Sequence, residues 1–104
     1  MSAFQLVLQF RGASIEGLDE LLEVEDALSA MLEDREELEG HDIGTSARNI
    51  FIVTDDPDAT FRRLTPFLER ARLLAPLIVA ARPLNGERYR ILYPADHHGG
   101  FSLT

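Results

Sequence analysis

The stretch Asn49 to Pro57, NIFIVTDDP, most constrains what this chain can fold into. Four apolar, mostly β-branched residues run straight into two aspartates and a proline. Such a run is a buried strand, because branched side chains fit a pleated sheet surface. Aspartate then starts a helix well, since its carboxylate accepts an otherwise unpaired N–H of the first turn. Proline is favoured directly after that cap, where its missing N–H costs nothing and its φ is already helical. One β-to-α junction is therefore set, with Asp56 as cap and Pro57 as the first helical residue. Asp55 has no such role and is left over.

The other elements follow from periodicity. Residues 3–11 alternate with period two: Phe4, Leu6, Leu8 and Phe10 on one face, Gln5, Val7, Gln9 and Arg11 on the other. That pattern is a half-buried strand. Ser14 is a candidate cap for a following amphipathic helix of about four to five turns. Its apolar stripe is Leu18, Leu21, Leu22, Leu28, Met31 and Leu32. Glu20, Glu23, Asp26, Glu33 and Asp34 fill much of the remaining circumference. Residues 36–46 predict a short, exposed edge strand, and residues 44–47 a turn. The helix starting at Pro57 buries Phe61, Leu64, Leu68 and Ala71, with Phe67 and Leu74 beside them. Pro66 inside it predicts a kink or two short helices.

Asn85-Gly86 between two strand-like runs predicts a two-residue hairpin, because that pair suits a type I′ turn. Its register sets Ala81 opposite Arg90 and Ala80 opposite Ile91. Pro83 then turns its missing N–H outward, which puts strand 77–83 at a sheet edge. A helical reading of Leu77–Arg82 is the alternative. Residues 1–94 form one domain, and 95–104 an irregular tail.

The order β-α-β-β-α-β is the ferredoxin-like split βαβ pattern, here with an added C-terminal strand. The expected class is α+β, an antiparallel sheet with two helices on one face. Right-handed crossovers place the first and third strands side by side. Phe4, Leu6, Leu8 and Phe10 face the helices. On the third strand, either Ile50 and Ile52 or Phe51 and Val53 face outward. That apolar surplus calls for a partner, a covering tail or a second copy.

Composition removes several functions. No cysteine is present, so disulfides and thiol catalysis are excluded. No run approaches the length of a membrane span, and no signal-type segment opens the chain, so a cytoplasmic protein without membrane association is expected. The net charge is −8 and unevenly spread: residues 16–42 hold twelve acids against Arg35. Nucleic acid binding needs clustered positive charge. The RNA-recognition module of similar architecture also needs stacking aromatics, for which only Phe51 is placed. Nucleic acid is therefore not an expected partner. The acidic first helix is a solvated face or a surface for a basic partner.

The densest polar group is His41, Asp42, Thr45, Ser46, Arg48 and Asn49. Neighbours along a strand point to opposite faces, so His41 and Asp42 share no site if the strand is regular. Thr54, Asp55 and Asp56 end the third strand, where paired carboxylates can hold a cation, although capping already accounts for one of them. Asp96, His97 and His98 lie in the tail without the three or four converging ligands that a defined metal site needs. Tyr89 and Tyr93 with Arg88 and Arg90 are read as core and edge packing ahead of an anion or stacking surface. No nucleophile elbow, phosphate-cradling loop or dinucleotide fingerprint is present. The binding candidates are His41, Asp42, Arg48, Asn49 and Asp55; no catalytic residue, metal or cofactor is assigned.

The strings Gly40-His41-Asp42-Ile43-Gly44 and Asn49 through Pro57 resemble a pattern in small bacterial proteins of unassigned function. The similarity extends to the opening strand and to the closing hairpin near Tyr93-Pro94. It implies an independent ferredoxin-like domain and transfers no catalytic residue. Residues 46–48 depart from a more glycine-rich version of the turn.

These readings converge on a non-enzymatic binding or interaction protein, with a dimer through the open sheet face as one mode. An acidic immunity or inhibitor protein for a basic partner is the second. The alternatives are a small-ligand regulatory domain, or a small hydrolase or isomerase using His41 with Asp42 or Asp55.

Overall fold

A computed structural model describes residues 3–11, 15, 17–44, 47–95 and 101. The elements are β1 (Phe4–Arg11), α1 (Leu18–Ser29), β2 (Glu37–Ile43), β3 (Ala47–Thr54), α2 (Pro57–Arg70), β4 (Leu77–Pro83) and β5 (Arg90–Tyr93). The five strands make one sheet, ordered β2-β3-β1-β4-β5, and every neighbouring pair is antiparallel. β1 lies in the middle, beside β3 as the crossover argument requires. Leu77–Arg82 is strand, so the helical alternative falls.

The period-two pattern of β1 decides the layers. Leu6, Leu8 and Phe10 pair in register with Ile52, Ile50 and Arg48 on one side, and with Ala81, Val79 and Leu77 on the other. Leu6, Leu8, Phe10, Ile50, Ile52, Leu77, Val79 and Ala81 join Leu21, Val24 and Leu28 of α1, and Leu64 and Leu68 of α2, in one core. Both helices therefore lie on this face, and each fully buried aliphatic side chain contributes roughly 1.5–3 kcal/mol. Ile50 and Ile52 point inward, so Phe51 and Val53 are the outward pair.

The β3–α2 junction forms as the stretch NIFIVTDDP demands. Asp56 Oδ1 accepts from the Ala59 N–H at 3.1 Å, and Pro57 follows as the first helical residue. The far end of α2 closes with Arg72 at φ 59°. The Leu73 N–H donates to the Leu68 carbonyl at 2.9 Å, and the Arg72 N–H to that of Glu69 at 3.1 Å. These two bonds are a Schellman cap, in which glycine usually takes the left-handed position.

Several expectations are corrected. α1 has twelve residues, a little over three turns. Four-residue turns end it: the Met31 N–H donates to the Leu28 carbonyl and the Leu32 N–H to that of Ser29. Met31 and Leu32 still pack on the core from outside the helix. Leu18 and Leu22 lie outside the buried stripe, whose members are Leu21, Val24, Glu25 and Leu28. Gly17 is the N-cap; Ser14 lies outside the described residues. α2 runs as one helix through Pro66, which is exposed as is Arg62, so the carbonyl that loses its N–H partner lies on the wet side. Ala71 is exposed, and Thr60 takes a place in the buried stripe.

The hairpin expected at Asn85-Gly86 does not form as a two-residue turn. Among the described residues Gly40 and Arg72 are the ones with positive φ, so neither Asn85 nor Gly86 adopts the type I′ conformation. Instead, the Gly86 N–H donates to the Pro83 carbonyl at 2.9 Å, a turn centred on Leu84-Asn85. The Arg82 guanidinium holds the connection by donating to the carbonyls of Pro83, Leu84 and Gly86. The ladder begins at Ala81↔Arg90 and Ala80↔Ile91, as expected, and shifts by one residue to Val79↔Tyr93. β4 is thus not an edge strand. β5 pairs with it only up to Ala81, however, so among the described residues no strand pairs with β4 outside Pro83.

The face away from the helices is not bare. Val7, Ala80 and Asn49 are fully buried there, and Gln9 and Ile78 nearly so. The chain's own atoms therefore cover that half of the sheet. Tyr89 reaches across it, its hydroxyl 3.4 Å from Gln5 Oε1, with Arg82 over its ring at 5.9 Å. Phe101 packs on Tyr89 with ring centroids 4.8 Å apart. Tyr93 and Arg90 instead serve the helix side, Tyr93 against Phe61 and Arg90 paired with Asp58. The tyrosines and arginines of this region therefore form no common anion surface. Residues 96–100 and 102–104, including His97 and His98, lie outside the described residues, as do Thr45 and Ser46.

Candidate interaction surface

The register separates the residues that looked clustered in the sequence. His41 pairs with Ile50 and Asp42 with Asn49, so the two side chains point to opposite faces. On the helix side, His41 Nδ1 lies 2.9 Å from Glu25 Oε1. Asp42 is exposed on the other side. Arg48 pairs with Phe10 and Ile43 on the helix side and is half-buried. Asn49 is fully buried on the opposite face, where its Oδ1 accepts from Gln9 Nε2 at 3.1 Å. Asp55 follows the far end of β3, five residues beyond the partner of His41. At the strand rise, that is about 16 Å away. His41 therefore meets neither Asp42 nor Asp55; it meets Glu25.

Glu25 is legible in retrospect. It lies four residues after Leu21 and three before Leu28, an acid at the helical phase of the core stripe. Its side chain is only 9% exposed, and His41 is the group that meets it. The contact ties α1 to β2, the outermost strand on that side of the sheet.

Around this contact the helix side is apolar with acids along α1, and the other face of β2 is acidic. Leu18, Leu22 and Ile43 are 50%, 41% and 47% exposed, three of the four large hydrophobics exposed among the described residues. The start of α1 and the end of β2 both lie at the Phe10–Arg11 end of the sheet, since Ile43 pairs with Arg48 and Arg48 with Phe10. Leu22 and Leu18 are one and two turns from Glu25 in that direction, and Ile43 is two residues from His41 on the same strand face. The three side chains thus flank one end of the α1–β2 seam. Asp19, Glu20, Glu23 and Asp26 are exposed on α1, and Glu37, Glu39 and Asp42 on β2. Arg48 lies opposite Ile43 on the helix side and is half-buried.

A second polar cluster lies at the start of α2, and sequence reading missed it. The Glu36 side chain is 6% exposed and accepts from the Glu33 N–H at 2.8 Å, from the Thr60 hydroxyl and from Arg63. A hydroxyl has one proton. With that of Thr60 given to the carboxylate, Thr54 donates to Thr60 across 2.8 Å and accepts from the Asp56 N–H at 3.1 Å. Burial pushes the Glu36 carboxyl up, but the hydrogen bonds from Thr60, Glu33 and Arg63 and the Arg63 charge outweigh it and hold it below its ordinary value. Asp55 pairs with Arg35 at 3.4 Å beside this cluster, which accounts for the second aspartate of the junction. Glu36, Arg63, Arg35 and Asp55 border a depression of about 570 Å³.

Among the described residues, no three His, Asp or Glu side chains are placed to hold a metal ion. No helix of those residues is long and apolar enough to cross a membrane. No family model, curated protein or solved structure matches this chain.

Proposed function

We propose that this protein is a non-enzymatic interaction domain of ferredoxin-like architecture, extended by β5 beyond β4, which presents the α1–β2 surface to a basic protein partner. The element order β-α-β-β-α-β with β1 beside β3 supports the architecture. The observation that carries the function is the set Leu18, Leu22 and Ile43, exposed beside the exposed Asp19, Glu20, Glu23 and Asp26 of α1. Exposed apolar groups rimmed by charge mark contact surfaces, and a single sign of charge steers an oppositely charged partner. An immunity or inhibitor protein masking a basic target is the biological form that fits this surface. Catalysis by His41 with Asp42 or Asp55 has no support in their placement.

The test is affinity capture from the host with the purified protein as bait. The bait is then repeated with Asp19, Glu20, Glu23 and Asp26 each replaced by lysine. The reading requires basic proteins that bind the first bait and are lost from the second. An unchanged bound set sinks it. A second reading, self-association through the open sheet face, rests on the half-buried Phe51 and Val53. Light scattering on a size-exclusion column would show a dimer at high micromolar concentration; a monomer there removes it.

A further inference from the structure

We infer that the partner docks as an extended segment added to the outer edge of β2, alternating lysine or arginine with aliphatic residues. The inference rests on the basic-partner reading and names its binding mode. β2 ends the sheet, and among the described residues no strand pairs on its outer side. A free edge is a template for another strand. Its two faces differ in chemistry. The helix face offers Ile43 with Leu18 and Leu22 beyond it, which suits aliphatic side chains. The opposite face offers Glu37 and Asp42, placed there by their pairing with Val53 and Asn49. Glu39 joins them, since its carboxylate accepts from Gln5 Nε2 at 3.0 Å. An added strand alternates faces at every residue, so the edge selects a basic–aliphatic alternation.

The same features argue against a second copy as occupant. Acids and bulges are devices by which an edge avoids pairing with itself. β2 has both, with the register shift between Leu38 and Gly40 and Gly40 at φ 149°. Two β2 strands edge to edge about a two-fold axis would bring Glu37, Glu39 and Asp42 of both copies onto one face, and like charges across such a pair are destabilising. Against lysine or arginine those carboxylates become attractive. The bulge leaves Gly40–Ile43 as the regular run closest to the apolar group.

The test uses the full chain, isotope-labelled, in NMR titrations with three capped peptides. One is a Lys-Val repeat, the second the same repeat N-methylated at alternate residues, the third a Glu-Val repeat. The Lys-Val peptide should shift amides centred on Leu38–Ile43, and N-methylation along the pairing edge should weaken it at least about tenfold. The Glu-Val peptide should not bind. Ile43→Asp, at an exposed position, should weaken the Lys-Val peptide by a similar factor while leaving the rest of the spectrum in place. Equal binding of the N-methylated peptide, or shifts confined to α1, overturns strand addition and leaves a basic partner on an acidic surface standing. No binding of the Lys-Val peptide at millimolar concentration also overturns it. Host capture with the α1 lysine variants decides the wider reading separately.

Discussion

Glu36→Gln removes one negative charge and changes no heavy-atom shape, so it isolates what the buried carboxylate contributes. In the native protein that carboxylate takes hydrogen bonds from Thr60, from the Glu33 N–H and from Arg63. Hydrogen bonds to an ionised group are worth about 1.5–3 kcal/mol, roughly twice those between neutral groups. Glutamine keeps an acceptor for one or two of these donors but presents an amide N–H toward the rest. Arg63 retains a weaker partner in exposed Glu33 at 3.4 Å. The expected loss is therefore about 2 kcal/mol, or about 8–16 °C in Tm for a domain of this size. The sign of its pH dependence follows from the direction of the shift. The folded carboxyl titrates below its ordinary value of 4.5. Its stabilisation is thus fully present above the unfolded pKa and is lost as pH falls through the folded one. Urea denaturation of both proteins from neutral pH downward should show the full gap near neutrality and a closing gap in acid. A gap below about 0.5 kcal/mol at neutral pH, within the range of ordinary surface substitutions, refutes the network's role. So does a gap that persists unchanged in acid.

Two further perturbations test other parts of the fold. Arg72→Gly relieves a left-handed residue that costs about 1–2 kcal/mol. Part of that is offset by the greater freedom of glycine in the unfolded chain, leaving a gain of about 0.5–1 kcal/mol in thermal or urea unfolding; no gain contradicts the Schellman assignment. A chain ending after Ala95 lacks the Phe101 ring that packs on Tyr89. It should bind more of a hydrophobic dye and exchange the amide hydrogens of Val7 and Asn49 faster. Unchanged dye binding means that the covered half of the open face is protected without the tail.

Local chemistry explains what was readable in advance. β1, β3 and the start of α2 carry strong periodic or capping signals that no tertiary contact needs to override. The pairings Ala81↔Arg90 and Ala80↔Ile91 were also correct, although for a turn that does not exist. Asn85-Gly86 favours a type I′ turn only if the chain is free to take it, and here the three carbonyl contacts of Arg82 hold a longer connection. Met31 and Leu32 keep helical spacing after α1 has ended at Ser29, so the apolar pattern outruns the helix; both pack on the core.

The candidate site was less legible. His41, Asp42, Arg48 and Asn49 are neighbours in sequence, yet a strand sends alternate residues to opposite faces, and the group divides accordingly. The contacts that form instead join residues far apart in the chain: Glu25 with His41, Glu36 with Thr60 and Arg63, Gln9 with Asn49. By itself, the sequence determined the α+β class, the β3–α2 junction, the face of β1 that meets the helices, and the acidity of the first helix. Those properties reside in local spacing and capping. Only the tertiary structure decided which acids are buried, which leucines stay exposed, and that Asp55 answers Arg35 and not His41. Burial and pairing depend on which segments the sheet order brings together, and no local pattern encodes that order for single side chains.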